Sequence, residues 1–357
     1  MRLPKKKHIV LGSIAAAFLL ASLLLFLLGA GSGKHLLAQR QAERWTGESE
    51  ERYTQFSAFF GPETGLGLDG VGALRQQITE NLTKASIELP AGGEYFCDAW
   101  SGSGSVKVSS GRGSYDAQVL AVGGHFFEFH PQELFSGVLL QENDLLIDRV
   151  VIDEQLAWLL YGSTELAGMT VEIGGQEFYI AGVIAREDDR FTKKLADDTP
   201  LLYMPFETYR TMDEGCTADC YEIVLPDPAK GFAKALMEEC LPKEGCFLRQ
   251  NTGRFGFSAA MKSLKSFSTR AVRTEAVAFP LWENAALIAE ARGTLCFVLA
   301  LLMLAYPLVL AGICLVKLVI YAKWRLHGTG KILREKALDR IDEHRIRRME
   351  RQQKGKG

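Results

Sequence analysis

The chain has 357 residues, of which 47% are hydrophobic and 24% are charged, and its formal net charge at pH 7 is −2. So apolar a composition excludes an intrinsically disordered protein, and the lack of a net positive charge gives no reason to expect a nucleic-acid partner. The charge is unevenly spread, however, because residues 31–294 carry 38 acidic against 24 basic side chains, whereas residues 323–357 carry 5 acidic against 12 basic ones.

Two long apolar segments, Ile9 to Leu28 and Leu295 to Tyr321, divide the chain. Each reaches the roughly 20 residues that a helix needs to cross a hydrocarbon core about 30 Å thick. We therefore predict transmembrane helices over residues 9–30 and 295–322. The alternative for the first segment is a cleaved signal peptide, but its apolar core is longer than the roughly 7–15 residues typical of such a peptide. An uncleaved anchor is favoured.

Basic residues fix the expected orientation of these two helices. Residues 1–8 contain four basic and no acidic side chains, and the tail over residues 323–357 has a net charge of +7. The positive-inside rule then places both termini in the cytoplasm and residues 31–294 outside the plasma membrane. An apolar stripe in the tail at Leu333, Ala337 and Ile341 is compatible with a helix on the anionic leaflet, with docking on an acidic partner, or with a disordered end.

Within residues 31–294, two groups of elements each have the order strand, helix, strand. The early group comprises a strand at Arg52–Phe60, a helix at Val71–Leu82 and a strand at Lys84–Leu89, and the late group comprises a strand at Tyr221–Leu225, a helix at Ala229–Cys240 and a strand at Cys246–Gln250. Leu74, Ile78 and Leu82 show the spacing of one helix face. A stalk helix at Ala38–Trp45 is expected to continue the first span. The two groups predict a split, ferredoxin-like α+β sandwich.

The segment between the two groups, roughly residues 94–205, is mostly strands by its alternating pattern. The expected strands are Ser105–Ser109, Ala117–Val122, Leu145–Ile152, Thr170–Ile173 and Glu177–Ile184. Asp153 suits the N-cap of a short helix that ends near Tyr161, and Gly174 with Gly175 is a hairpin signal. Beyond the late group, Phe257–Arg292 is predicted to be helical, interrupted at Pro280, and to lead into the second span.

Several spaced motifs in this insert carry a family resemblance. They are VVIDEQLAWLLYG at Val150–Gly162, GMTVEIGG at Gly168–Gly175 and FYIAGV at Phe178–Val183, followed by PLLYMPFETY at Pro200–Tyr209. Together they resemble the extracytoplasmic core domain of MacB-type and FtsX-type ABC transporter permeases. The resemblance implies a porter-type module, in which a split β-α-β subdomain carries an inserted, mostly β subdomain over about residues 94–205.

The resemblance also implies partners, namely an ABC ATPase, a full-length permease, or both, on separate chains, in a homo- or hetero-oligomer within the lipid bilayer. Permeases of this kind usually carry two further membrane helices after the core domain, whereas only one follows the module here. We therefore expect a reduced, non-catalytic membrane subunit of an export or mechanotransmission system. The alternative is a membrane-anchored extracytoplasmic sensor or scaffold without transport activity.

The sequence offers few candidates for catalytic, cofactor-binding or metal-binding residues. The P-loop, dinucleotide-binding, HExxH and GxSxG motifs do not occur, so no catalytic or cofactor-binding residue is predicted. His125, Glu128 and His130 suggest a metal site, but strand alternation would place His125 opposite the other two, and no metal is expected. Outside the cytoplasm, four cysteines are candidates for disulfides, with three connectivities left open. They are Cys216, Cys220, Cys240 and Cys246.

Overall fold

The computed structural model describes residues 6–46, 51–87, 93–142, 144–186, 199–265 and 279–354. The chain divides into two compact units, one formed by Met1–Leu27 with Phe297–Gly357 and the other by Leu28–Cys296. We call the second unit the module. It combines helices with one sheet, so the α+β class predicted for it is confirmed.

Most of the described residues belong to regular elements. The helices are α1 (Lys6–Ala30), α2 (Gln41–Thr46), α3 (Leu68–Lys84), α4 (Phe126–Phe129), α5 (Glu154–Leu160), α6 (Phe206–Met212), α7 (Phe232–Cys240), α8 (Phe257–Lys265) and α9 (Leu281–Lys354). The strands are β1 (Tyr53–Phe60), β2 (Cys97–Ser110), β3 (Gly113–Gly124), β4 (Leu134–Gly137), β5 (Arg149–Asp153), β6 (Thr170–Ile173), β7 (Gln176–Ile184), β8 (Leu201–Pro205), β9 (Cys220–Pro226) and β10 (Cys246–Gln250).

The first unit contains the apolar parts of α1 and α9. Segments Ile9–Ala30 and Leu281–Arg325 are both long and apolar enough to cross a membrane, and the two apolar helices predicted near the ends of the chain are present. Ser22 donates a hydrogen bond to the carbonyl oxygen of Ala300 over 2.9 Å, so the two helices touch each other in this unit. The hydroxyl thereby satisfies its hydrogen-bonding capacity among apolar neighbours.

Four strands of the module form an antiparallel half-sheet in the order β10-β1-β9-β2. Helix α3 connects β1 to β2, and α7 connects β9 to β10, and both helices pack with the same apolar cluster. Phe56, Ala58 and Phe60 of β1 face this cluster, because alternate residues of a strand share a face. Asp227 fixes the start of the second crossover by accepting hydrogen bonds from Arg52 and from the backbone N–H of Ala233.

The strand predicted at Lys84–Leu89 is wrong over its described residues, because Lys84 is the last residue of α3 and a turn follows. The N–H of Ser86 bonds to the carbonyl of Thr83, and that of Ile87 bonds to the carbonyl of Leu82. This is a Schellman motif, with Ser86 in the left-handed region at φ +57°. Residues 88–92 lie outside the described residues. The second strand of the early group is β2, which begins at Cys97.

The inserted strands close into a ring. Strand β2 pairs with β3, and the pairing continues through β8, β5 and β7 to β6, which pairs back to the far end of β2. The ring is filled by one cluster of apolar side chains that includes Ile152, Leu156 and Phe178. A closed ring leaves fewer unpaired strand edges than an open sheet would.

Two local predictions in the insert hold. The carboxylate of Asp153 accepts a hydrogen bond from the N–H of Leu156 over 2.8 Å, as an N-cap does. Gly174 and Gly175, at φ +59° and +80°, form the two-residue turn between β6 and β7. Strand β5, by contrast, begins at Arg149 and not at residue 145.

The helical segments that flank the module also differ from expectation. Helix α1 ends at Ala30, and turns and a short 3-10 helix at Leu37–Arg40 precede α2, so the stalk does not continue the first span. Helix α8 ends at Lys265, residues 266–278 lie outside the described part, and α9 begins directly after Pro280. Helix α9 then runs without a break to Lys354, well past the predicted end of the second span.

Candidate functional site

The first three turns of α9 are attached to the rest of the module by buried ion pairs. Glu283 and Glu290 are seven residues apart and therefore lie on one face of the helix. Both point at Arg254, which follows β10. The guanidinium donates to the two carboxylate oxygens of Glu283 over 2.7 and 2.8 Å, and to Glu290 over 3.0 Å. A bidentate pair of this kind fixes orientation as well as distance.

Water has almost no access to these groups. The side chains of Arg254, Glu283 and Glu290 are 3%, 0% and 7% exposed. The guanidinium also donates to the side-chain oxygen of Gln39, between α1 and α2, over 3.1 Å. Burial alone would lower the pKa of Arg254, but Glu283 and Glu290 outweigh it and hold the pKa above the ordinary value. Arg254 is therefore charged at physiological pH.

A second polar group lies on the face of β1 that carries Ser57. The Ser57 hydroxyl donates to Glu222 over 2.9 Å and accepts a hydrogen bond from the side-chain amide of Asn251. The other oxygen of Glu222 lies 2.5 Å from Nε2 of His130. The His130 ring packs against Phe126 and against Trp282 in the first turn of α9, with centroid distances of 4.5 and 4.4 Å.

We call the polar residues of these two groups the junction, and define it as Gln39, Ser57, His130, Glu222, Arg254, Glu283 and Glu290. Hydrogen bonds join Ser57, Glu222 and His130 in one network, and hydrogen bonds and ion pairs join Gln39, Arg254, Glu283 and Glu290 in another. Networks of this kind suit a rigid mechanical connection. Serine and histidine are present, but Ser57 is buried and donates its proton to a carboxylate, so it is not placed as a nucleophile.

The structure separates the three residues of the HFFEFHP motif that suggested a metal. His125 precedes α4, and its Nδ1 lies 3.0 Å from Glu128. His130 instead contacts Glu222 in the junction. The expectation that alternation would part His125 from Glu128 is wrong, because the segment forms one helical turn, which brings residues three apart together.

His125 lies in a cluster of charged side chains, of which Arg75 and Glu142 also line a cleft of about 360 Å³. Its Nε2 is 2.9 Å from Glu142 and 3.4 Å from Glu94. Arg75 holds the other oxygen of Glu142 at 3.0 Å and also contacts Asp98 at 3.1 Å. Burial raises the pKa of the Asp98 carboxyl to about 6, despite the opposing effect of Arg75.

The four candidate disulfide cysteines occupy different surroundings. Cys220 is opposite Phe59 on β1, whereas Cys246 is opposite Phe60 on the other side of that strand, so the two are separated by two strand spacings, about 9–10 Å. A disulfide needs Cα atoms less than about 7 Å apart, which excludes this pairing. Cys216 packs in the ring core, while Cys240 and Cys246 both lie against the cluster under α3 and α7. None of the four cysteines is disulfide-bonded in the structure, and a link between Cys240 and Cys246, which pack on the same cluster, stays a prediction.

No family model and no curated protein matches the chain. Among solved structures, the chain is similar to the periplasmic region of MacB from Actinobacillus actinomycetemcomitans, with 16% identity and a TM-score of 0.40 over 61% of this chain and 94% of that one. It is also similar to the extracellular domain of the noncanonical ABC-type transporter YknZ from Gram-positive bacteria, with 15% identity and a TM-score of 0.36 over 55% and 99% of the chains. A domain of a permease protein from Porphyromonas gingivalis aligns with 14% identity and a TM-score of 0.33 over 56% and 89%.

Sequence reasoning missed the junction. Arg254 lies in an irregular segment, and Glu283 and Glu290 resemble ordinary polar residues of a helix end. One signal was available, since two acidic residues seven apart form a stripe just before the apolar run that starts at Leu295. Nothing in the sequence indicates that Arg254 lies opposite that stripe.

Proposed function

We propose that the chain is a non-catalytic membrane subunit of an ABC-type, MacB/FtsX-like export or mechanotransmission system, with ATP hydrolysis on another chain. The observation that carries the proposal is the junction. The helix that holds Glu283 and Glu290 in its first turns is the same helix that contains the second apolar segment. Any displacement of that helix along its axis would pull on Arg254, and thus on the strand β10 that precedes it.

The motifs at Val150–Gly162, Gly168–Gly175 and Phe178–Val183 support the assignment to this class of system. In the fold they correspond to β5 with α5, to β6 with its hairpin turn, and to β7, so each motif coincides with an element of the ring. We further propose that the half-sheet is the split β-α-β, ferredoxin-like subdomain. Its order β10-β1-β9-β2 with two crossover helices on one face supports that interpretation.

For the membrane arrangement, we propose that residues 9–30 and 295–322 span the plasma membrane. Residues 31–294 would then be extracytoplasmic, and residues 1–8 and 323–357 cytoplasmic. The apolar segments of α1 and α9 and the net charge of +7 on the tail support this topology. A cytoplasmic basic tail is also suited to contact with an acidic partner or with anionic lipid.

Affinity purification from native membranes tests the proposal. The full chain, tagged after Gly357, is crosslinked in intact cells and then solubilised, and the captured proteins are identified by mass spectrometry. We expect an ABC ATPase, a full-length permease, or both. A variant in which Arg340, Arg345, Arg347 and Arg348 are replaced by Gln is the matched control for capture through charge alone. Absence of any ABC component would refute the proposal and leave a membrane-anchored sensor or scaffold.

A further inference from the structure

One imidazole and two carboxylates from separate segments converge at the end of the β2–β3 hairpin farthest from its turn. Glu94 precedes β2, His125 follows β3, and Glu142 belongs to the connection between β4 and β5. One donor atom from each of the three lies within 4.8 Å of the other two. The three residues are distant in sequence, so the fold alone assembles the group.

The spacing of these donor atoms is that of ligands that share one metal ion. Two donors bound at about 2.1 Å are separated by about 3.0 Å at a right angle and by about 3.4 Å at the tetrahedral angle. Nε2 of His125 is 2.9 Å from Glu142 and 3.4 Å from Glu94. The contact with Glu142 does not have the geometry of a hydrogen bond, and Nε2 is a buried atom without another hydrogen-bond partner. A metal ion would bind the lone pair of Nε2.

His125 and Glu142, the two less exposed of the three residues, are each oriented by a further side chain. A neutral ring that donates its Nδ1 proton to Glu128, 3.0 Å away, keeps the lone pair on Nε2 for a metal ion. One oxygen of Glu142 faces Nε2, and Arg75 holds the other oxygen at 3.0 Å. Carboxylate–histidine–metal arrangements use outer partners of this kind.

The negatively charged groups around His125 also favour binding of a cation. The carboxylates of Glu94, Glu128 and Glu142 each lie within 3.4 Å of a ring nitrogen of His125. Arg75 contacts Glu142 and the neighbouring Asp98. One oxygen of the fully buried Asp98 has no hydrogen-bond partner. Glu94 is 56% exposed, so an ion has a path from solvent into the group.

We infer that Glu94, His125 and Glu142 bind one divalent transition-metal ion, best matched by Zn²⁺, with water completing the coordination. One imidazole and two carboxylates suit Zn²⁺ among the first-row ions, and Zn²⁺ binds such donors more tightly than Mn²⁺ does. A rival set would use Cys97 with His125 and Glu128. It is disfavoured because Cys97 is fully buried and its Sγ is 4.0 Å from the nearest Glu128 oxygen.

The test uses the full-length protein in detergent, without a polyhistidine tag and freed of metal by a chelator. Zn²⁺ is titrated calorimetrically, and the zinc X-ray absorption spectrum of the loaded protein gives the ligands. The test variants are His125→Ala and the double variant Glu94→Gln/Glu142→Gln. Their matched controls are His35→Ala and the double variant Glu172→Gln/Glu177→Gln, which alters two exposed glutamates of the β6–β7 hairpin.

We expect one Zn²⁺ per chain and a first shell of nitrogen and oxygen at about 2.0–2.1 Å. Both test variants should lose more than about 100-fold in affinity, and Glu128→Gln should lose about 10- to 100-fold. The controls should bind like the unaltered protein. Sulfur at about 2.3 Å would overturn the assignment in favour of Cys97. If the unaltered protein does not bind Zn²⁺ stoichiometrically, or if the test variants bind it equally well, the proposed site is wrong. If a variant fails to fold, the X-ray absorption spectrum of the unaltered protein still identifies the ligands.

Discussion

Replacing Glu283 with Gln should weaken the module more than any exposed ion-pair change would. The substitution keeps the shape of the side chain but removes the charge and turns one acceptor oxygen into a donor that faces the guanidinium of Arg254. Glu290 would remain as the charged partner of Arg254 at 3.0 Å. Arg249, whose Nε lies 3.7 Å from Glu283, would lose an ion pair as well.

The expected cost follows from burial. Removing one member of a buried ion pair costs about 3–5 kcal/mol, because the remaining charge stays out of water without compensation. Both groups of this pair are at most 3% exposed, but Glu290 still compensates part of the charge on Arg254, so we expect the lower end of that range, about 3 kcal/mol. The matched control is Glu238→Gln, which breaks the exposed pair with Lys234 at 3.2 Å. Exposed pairs of this kind contribute at most about 1 kcal/mol.

Hydrogen exchange on the full-length protein in detergent provides the measurement. Amides in the first turns of α9 should lose protection by about 100-fold in the Glu283 variant, which corresponds to about 3 kcal/mol at 1.4 kcal/mol per tenfold change. Amides of α3, which packs elsewhere in the module, should change less. The control should match the unaltered protein in both regions.

A loss of protection no larger than that of the control would contradict this prediction, since it would mean that the ion pair between Arg254 and Glu283 is hydrated in solution. A triple variant, Arg254→Met with Glu283→Leu and Glu290→Leu, supplies an independent check. Replacing all three charges with apolar groups removes the desolvation cost together with the attraction, so it should restore most of the lost stability.

Three further predictions concern the rest of the module. Asp227→Asn should lower the free energy of unfolding by about 1.5–3 kcal/mol at pH 7, with Asp116→Asn as the exposed control. Burial raises the pKa of Asp227, but its hydrogen bonds outweigh that effect and hold the pKa below its usual value, so the difference between the unaltered protein and the variant should vanish as the pH falls through that lowered pKa. A pH-independent difference in urea unfolding would contradict this. Ser86→Gly should stabilise the protein by about 1 kcal/mol, because glycine adopts φ +57° without strain, and a lower thermal midpoint would argue against the Schellman motif. Non-reducing peptide mapping of protein exported from the cytoplasm should recover Cys240 linked to Cys246, and a different linkage would exclude that pairing.

Sequence predicted best those elements whose signal is local. Gly174 with Gly175 is a turn because two consecutive residues must adopt positive φ, and Asp153 caps a helix through an N–H three residues away. The strand expected after Lys84 failed for a similarly local reason. Its apolar residue Ile87 belongs to the capping motif of α3, and a run of alternating residues cannot reveal that.

The candidate sites were harder to predict because long-range pairing creates them. Glu94 and Glu142 flank His125 only after the β2–β3 hairpin and the β4–β5 connection have folded. Arg254 meets Glu283 across 29 residues, 13 of which lie outside the described part. The spacing of Glu283 and Glu290 shows only that they share a helix face, and nothing local pairs that face with Arg254, so the contact cannot be predicted until the fold is known.

The two faces of β1 explain why the junction is polar. Phe56, Ala58 and Phe60 contribute to the cluster under α3 and α7, which leaves the alternate residues Gln55 and Ser57 to face the stalk and α9. An apolar contact at that place would hold a helix without fixing its position along the axis. Bidentate ion pairs fix that position, because a shift of about 1.5 Å, one residue along α9, would move both carboxylates off the guanidinium. A subunit that transmits displacement needs such a fixed attachment, and this is why we regard the junction, and not the ring, as the part of the module to alter first.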